Sequence, residues 1–205
     1  MKKLFILTLL VSGVLCIEVN AQIKDTFDSN TGWTEYSDKE ARAVIEDGVL
    51  NLIGKYKFDD IKGRLSFVTS TNYSPLDVTD DFEIKCDAII KKVDEDGEFG
   101  MLINHLDDGN FIAFTISRYE GYYYAEMIRY EKDEKVGYKV NNIKLPRGSN
   151  KALELSVKQI NNRLQFYING IQALEVRHLI LDYTGVGFYI AGKQNVQIDN
   201  LEYIQ

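Results

Sequence analysis

Few side chains in this 205-residue sequence are spaced for bond-breaking chemistry. The nearest approach is Glu83-Ile84-Lys85-Cys86-Asp87, where strand alternation puts Glu83, Lys85 and Asp87 on one face. A carboxyl pair that cleaves a glycosidic bond with retention stands roughly 5 Å apart, one member held protonated by its surroundings. Residues four apart on a strand are separated by roughly 13 Å at Cα. A lysine between them would keep both acids ionised, so a solvated charge ladder is the expectation for this face. The other acidic groups, Asp94-Glu95-Asp96-Gly97-Glu98, Asp107-Asp108 and Glu131 to Glu134, fall in hairpin turns. The first of them lacks the alternating aspartates and distal glutamate of an EF-hand loop. His105 and His178 have no nucleophile or acid at triad spacing, and nucleophile elbows, phosphate-cradling glycine loops and paired metal-ligand spacings are absent.

The richest functional signal is aromatic. Tyr119, Tyr122, Tyr123, Tyr124, Tyr130 and Tyr138 crowd two neighbouring segments, with Arg118 and Arg129 interleaved. Alternation sets Tyr122, Tyr124 and Tyr130 on one face and Tyr123 with Arg129 on the other. A tyrosine offers a flat apolar ring to sugar C–H groups and a hydroxyl for hydrogen bonding, while Arg, Asn and His supply polar anchors. Half-buried strands also favour tyrosine for packing alone. The expected binding set is Tyr122, Tyr124, Tyr130, Arg118, Asn104 and His105. Trp33, the sole tryptophan, lies in Asn30-Thr31-Gly32-Trp33, where it is either a core plug or a further stacking platform.

Short alternating runs broken by turn chemistry must position these residues, which is the signature of an all-β fold. Phe82, Ile84, Cys86, Ala88 and Ile90 share a face, so Cys86 reads as a small core hydrophobe. The spacing predicts a four-strand meander through Phe82–Lys91, Phe99–Asn104, Phe111–Ser117 and Tyr122–Tyr130. Hairpins are predicted at Asp47-Gly48, Glu120-Gly121, Asn161-Asn162 and Asn169-Gly170. Helix remains an alternative for Ser37–Glu46 and for one turn over Val176–Leu181. Roughly a dozen strands at 8–12-residue intervals suit a two-sheet antiparallel jelly-roll sandwich.

Residues 1–21 read as a cleaved export signal: Met1-Lys2-Lys3, an apolar run from Leu4 to Val14, then Val19-Asn20-Ala21 as the cleavage site. That run is shorter than the roughly 20 residues a spanning helix needs. Leu15 before Cys16 disfavours lipidation, because such sites want a small residue there. The expected mature chain, 22–205, is one domain of periplasmic or extracellular location, with no membrane span and no disulfide, since Cys86 is its only cysteine. The full sequence carries a formal charge of −7. Removing Lys2, Lys3 and Glu18 makes this −8, which argues against nucleic-acid partners. No feature sets an oligomeric state.

Phe27…Gly32-Trp33, Ile45-Glu46-Asp47-Gly48, Phe82-Glu83-Ile84, Phe99 to Asn104, Asn110 to Phe114, Phe166 to Gly170 and Val186…Leu201 together resemble the concanavalin A-like lectin/glucanase superfamily. The likeness is nearest to its laminin-G-like and 3-keto-disaccharide-hydrolase-like secreted modules. It implies a jelly-roll sandwich that binds carbohydrate. It also implies, as an alternative, a glycoside hydrolase of the same fold. Its hydrolases carry two glutamates four apart on a strand with an aspartate between; here Lys85 replaces that aspartate and Asp87 the second glutamate, which favours binding over cleavage. The resemblance further leaves room for a structural calcium at Asp25, Asp28 or Asp199, near the chain ends. A third reading is an envelope-associated interaction module whose tyrosine face packs on another subunit.

Overall fold

The computed structural model describes residues 22–55, 65–69, 80–93, 97–107, 109–132, 134–144, 152–177 and 185–205. The predicted signal segment and His178 lie outside these residues. Among the described residues there are fifteen strands and no helix. They are β1 (Gln22–Asp25), β2 (Tyr36–Ser37), β3 (Ala41–Glu46), β4 (Val49–Gly54), β5 (Leu65–Thr69), β6 (Phe82–Val93), β7 (Glu98–Asp107) and β8 (Asn110–Tyr119). Then come β9 (Tyr122–Glu131), β10 (Glu134–Ile143), β11 (Ala152–Ile160), β12 (Arg163–Ile168), β13 (Ile171–Arg177), β14 (Gly185–Ala191) and β15 (Gln194–Ile204).

Nine strands form one antiparallel sheet in the order β13-β12-β11-β6-β15-β4-β3-β2, with β1 also paired to β15. Six form the other, in the order β10-β9-β8-β7-β14-β5. Tight two-residue turns join the hairpins with φ positive at both positions: Asp47-Gly48, Glu120-Gly121, Asn161-Asn162 and Asn169-Gly170. This left-handed pair matches the right-handed twist of the flanking strands, and Asn, Asp and Gly adopt it at least cost.

The core lies between the sheets. Alternation turns Phe82, Ile84, Cys86, Ala88, Leu153, Leu155 and Val157 inward from the large sheet, to meet Phe99, Met101, Ile112, Phe114, Ile116 and Phe188 from the small one. Phe114 meets Phe166 across the gap with ring centroids 5.5 Å apart. Cys86 is buried, and burial followed by the neighbouring Asp87 charge pushes its thiol far above the ordinary range. At one side of the sandwich the edge strands β10 and β13 touch: Lys139 Nζ donates to the Glu175 carbonyl, and Asn141 Nδ2 to the Ala173 carbonyl at 2.9 Å.

Two expectations change. The predicted meander starting at Phe82 breaks after β6, which pairs with β11 and β15. The chain changes sheet between Val93 and Glu98, and the meander is β7-β8-β9-β10. Alternation identifies the face a strand buries, but carries no information on which sheet it joins. Ser37–Glu46 is not a helix either: Ala41–Glu46 pairs with β4 and buries Ala41 and Ala43.

Candidate functional site

The face of the six-stranded sheet that points away from the core carries most of the predicted tyrosines. Strand register orders it into rows. At the hairpin end Tyr119 stands opposite Tyr122. The next row runs Ala191, Glu98, Ser117, Tyr124, Asn142 across β14, β7, β8, β9 and β10. The third runs Tyr189, Gly100, Thr115, Glu126, Val140. Beyond these the face turns apolar, with Leu102, Ala113 and Ile128, then Phe111 beside Tyr130. That apolar half is closed, and the closure reaches into the second and third rows: Leu102, Phe111, Ala113, Ile128, Tyr189 and Ala191 form a second buried cluster, with Tyr130 packed against it. Phe111 and Tyr130 stack at 4.8 Å.

The hairpin tip is open, since Tyr119 is 54% and Tyr122 61% exposed. Small side chains (Gly100, Thr115, Ser117) form a buried floor behind that exposed pair along β7 and β8. Gly100 is required by a close approach, because a Cβ there would collide with the Phe114 carbonyl and the Thr115 Cα. Two half-buried glutamates rise on either side of this floor. Tyr189 donates its hydroxyl to Glu98, and Ser117 donates to Glu126. Burial, and then the Glu98 charge, raises the Tyr189 hydroxyl well above its ordinary range; the same two causes raise Tyr130. Both phenols therefore remain protonated donors at neutral pH. The Thr115 hydroxyl is wholly buried between Gly100 and Glu126 and has no hydrogen-bond partner among the described residues.

The structure brings Tyr122, Tyr124 and Tyr130 to one face, and His105 joins its buried end, 6.5 Å from Phe111. The other expected binding residues depart from it. Arg118 stands opposite Tyr123, with its guanidinium 6.0 Å from that ring, so it belongs to the opposite face of β8. Asn104 has no exposed surface and a φ of 52°. Trp33 is a core plug rather than a platform: it is 4% exposed, 5.5 Å from Phe27 and 5.6 Å from Phe188.

Asp25 explains how Trp33 is held. Its carboxylate accepts from the Trp33 indole N–H at 2.8 Å, the Thr31 hydroxyl at 2.6 Å and the Phe27 amide at 2.9 Å. Those bonds engage both oxygens. Asp28 accepts from Thr26 and Asp199 from the Asn200 amide. Among the described residues no three His, Cys, Asp or Glu side chains converge as a metal site.

Glu83 and Asp87 lie on the far side of the sandwich, on the outer face of the large sheet. Lys158 meets Glu83 at 3.1 Å and Ser156 donates to it at 2.7 Å, while Asn200 donates to Asp87 at 3.0 Å. Lys85 pairs with Glu202 at 2.8 Å. Each carboxylate thus has its own partner on a neighbouring strand.

Sequence reasoning missed Glu98 and Glu126. The first looks like part of an acidic turn and the second like a polar residue in a tyrosine strand. The turn Glu120-Gly121 was the available signal. It fixes Tyr119 opposite Tyr122, and so both Thr115 opposite Glu126 and Arg118 opposite Tyr123.

No protein-family model matches the chain, and no curated protein matches it by sequence. Solved structures do match. The carbohydrate binding module CBM66 from Bacillus subtilis superimposes with a TM-score of 0.60 at 15% identity, over 85% of this chain and 96% of that one. The Emp47p carbohydrate recognition domain matches at TM-score 0.61 and 9% identity, over 90% and 94% of the two chains. An endo-β-galactosidase from Clostridium perfringens, releasing GlcNAcα1-4Gal, matches at TM-score 0.59 and 13% identity, over 91% of this chain and 62% of its own. At these identities the likeness shows the fold alone: the chain is a two-sheet antiparallel β-sandwich like those of these structures.

Proposed function

We propose that this chain is an exported, non-catalytic glycan-binding module whose ligand lies at the exposed hairpin end of the six-stranded sheet's outer face. The observation that carries the reading is the exposed Tyr119–Tyr122 cross-strand pair standing one row from Glu98, Ser117 and Tyr124. Exposed aromatic rings bordered by convergent polar groups are what a sugar needs, with ring faces for its C–H surface and acceptors for its hydroxyls. Neighbours described as a carbohydrate binding module and a carbohydrate recognition domain support this reading. Export rests on Met1–Ala21, outside the described residues. Among the described residues, no helix is long and apolar enough to cross a membrane.

The test is a glycan array followed by calorimetry on the strongest hit. Tyr122→Ala is expected to weaken binding roughly tenfold, the scale of one lost aromatic contact, and Tyr124→Ala to weaken it too. An array with no hit, or variants that bind like the parent, would overturn the reading. Export is checked separately by the mass of the secreted protein, which should begin at Gln22.

A further inference from the structure

Resting on the glycan-binding reading, the geometry points to a platform that crosses both sheets. The β8–β9 and β12–β13 hairpin tips, through Tyr119, Tyr122 and Ile171, engage the packed surface of an insoluble polysaccharide rather than a single chain in solution. Three observations carry this. First, the two tips stand at one end of the sandwich. Asn141 Nδ2 donates to the Ala173 carbonyl at 2.9 Å and Lys139 Nζ to the Glu175 carbonyl, which lays β13 along β10 with Ile171 toward Ile143. Ile143 pairs with Tyr123 on β9, next to Tyr122 at the turn. Sheets packed about 10 Å apart then set the two tips roughly 10–15 Å from each other.

Second, the apolar side chains at this end are in solvent. Ile171 is 74% exposed, more than either tyrosine. One such residue alone is ordinary, but three on neighbouring tips make a patch. Third, the surface behind the tyrosine tip is shut. Ser117, Thr115 and Ala191, the small residues next along the outer face, are buried, so contact is confined to the tips. The turns themselves are polar and exposed, Glu120-Gly121 on one tip and Asn169-Gly170 on the other. A leading carboxylate opposes insertion among lipid tails and accepts hydrogen bonds from a hydroxyl-bearing surface.

The spread of the contacts selects the state of the ligand. A flexible oligosaccharide must be ordered before it meets points on two sheets, and that entropy is subtracted from its affinity. Chains already packed side by side present their faces in order, and contacts made together reinforce one another as linked sites do.

The test titrates the protein on particles of cellulose, chitin and xylan, on soluble oligosaccharides of the same sugars, and on phosphatidylcholine vesicles. Wild type should bind at least one kind of particle roughly tenfold more tightly than the soluble form of that sugar. Ile171→Ala should weaken particle binding roughly fivefold and leave the soluble sugar's affinity unchanged, whereas Tyr122→Ala should weaken both. Leu106→Ala removes another exposed side chain, at the opposite end of β7, and should change nothing. Both aliphatic variants should melt with the wild type, since neither position is buried. Particle binding unaffected by Ile171→Ala, or no particle bound more tightly than its soluble sugar, would overturn the platform. The glycan-binding reading survives that result if Tyr122→Ala still weakens sugar binding. Binding to vesicles and to no sugar, or to nothing at all, removes both.

Discussion

The Asp25 carboxylate is the hub of the loop from Asp25 to Trp33, and Asp25→Ala tests what that hub contributes. The substitution strands two buried donors, the Phe27 amide and the Trp33 indole N–H; the third donor, on exposed Thr31, rehydrates cheaply. A buried donor left unsatisfied costs about 1–3 kcal/mol, so the pair amounts to about 4 kcal/mol. In a domain of this size each kcal/mol lowers Tm by about 2–4 °C, giving a fall of about 8–16 °C. Urea titration followed by Trp33 fluorescence is the assay, because the sole tryptophan sits at the perturbed position between Phe27 and Phe188. Asp25→Asn retains one acceptor and should lose less. A loss below about 1 kcal/mol for Asp25→Ala, the scale of an ordinary solvated hydrogen bond, would refute the reasoning. A chelator should leave the wild-type Tm unchanged; a chelator-induced fall equal to that of Asp25→Ala would make Asp25 a metal ligand instead.

Two further outcomes follow from the large sheet. Lys85's hydrogen bond to Glu202 holds the Glu202 carboxyl below its usual 4.5 and the Lys85 ammonium above its usual 10.5. The Glu202 contribution is therefore full above pH 4.5 and lost as pH falls through its lowered value, while the Lys85 contribution is full below pH 10.5 and lost as pH rises through its raised value. Lys85→Met should cost about 0.5–1 kcal/mol at pH 7, with the difference from wild type shrinking at pH 3 in denaturant titrations. Cys86, whose thiol burial pushes it far up, should resist a thiol reagent at pH 8 in the folded protein and react at once in denaturant; rapid labelling of the native protein would contradict its place in the core.

Much of the fold is legible in short-range chemistry. Asp47-Gly48, Asn161-Asn162 and Asn169-Gly170 announce their turns because few residue pairs adopt left-handed backbone cheaply. The face of β6 that enters the core is legible from alternation alone. Its sheet is not, because joining β11 and β15 rather than β7 is decided by partners more than 60 residues away. The site divides along the same line. Tyr122, Tyr124 and Tyr130 share a strand, so period two places them together. Glu98 and Glu126 come onto one face only through β8, and neither local window marks them as related. Trp33 was ambiguous because its loop has no periodicity, and the Asp25 bond that settles it spans eight residues of irregular chain.

The contact between β10 and β13 bears on how the molecule avoids sticking to itself. A sheet edge displays a row of unpaired backbone groups that another chain can extend. Two of the edge strands among the described residues meet here, and Lys139 and Asn141 cap carbonyls of β13 with side chains from β10. That flank is sealed much as a barrel closes on itself, with a lysine standing where a foreign strand would dock. The opposite flank, ending in two-residue β2 and five-residue β5, offers only short templates. A sandwich built this way offers a second chain few backbone groups to extend.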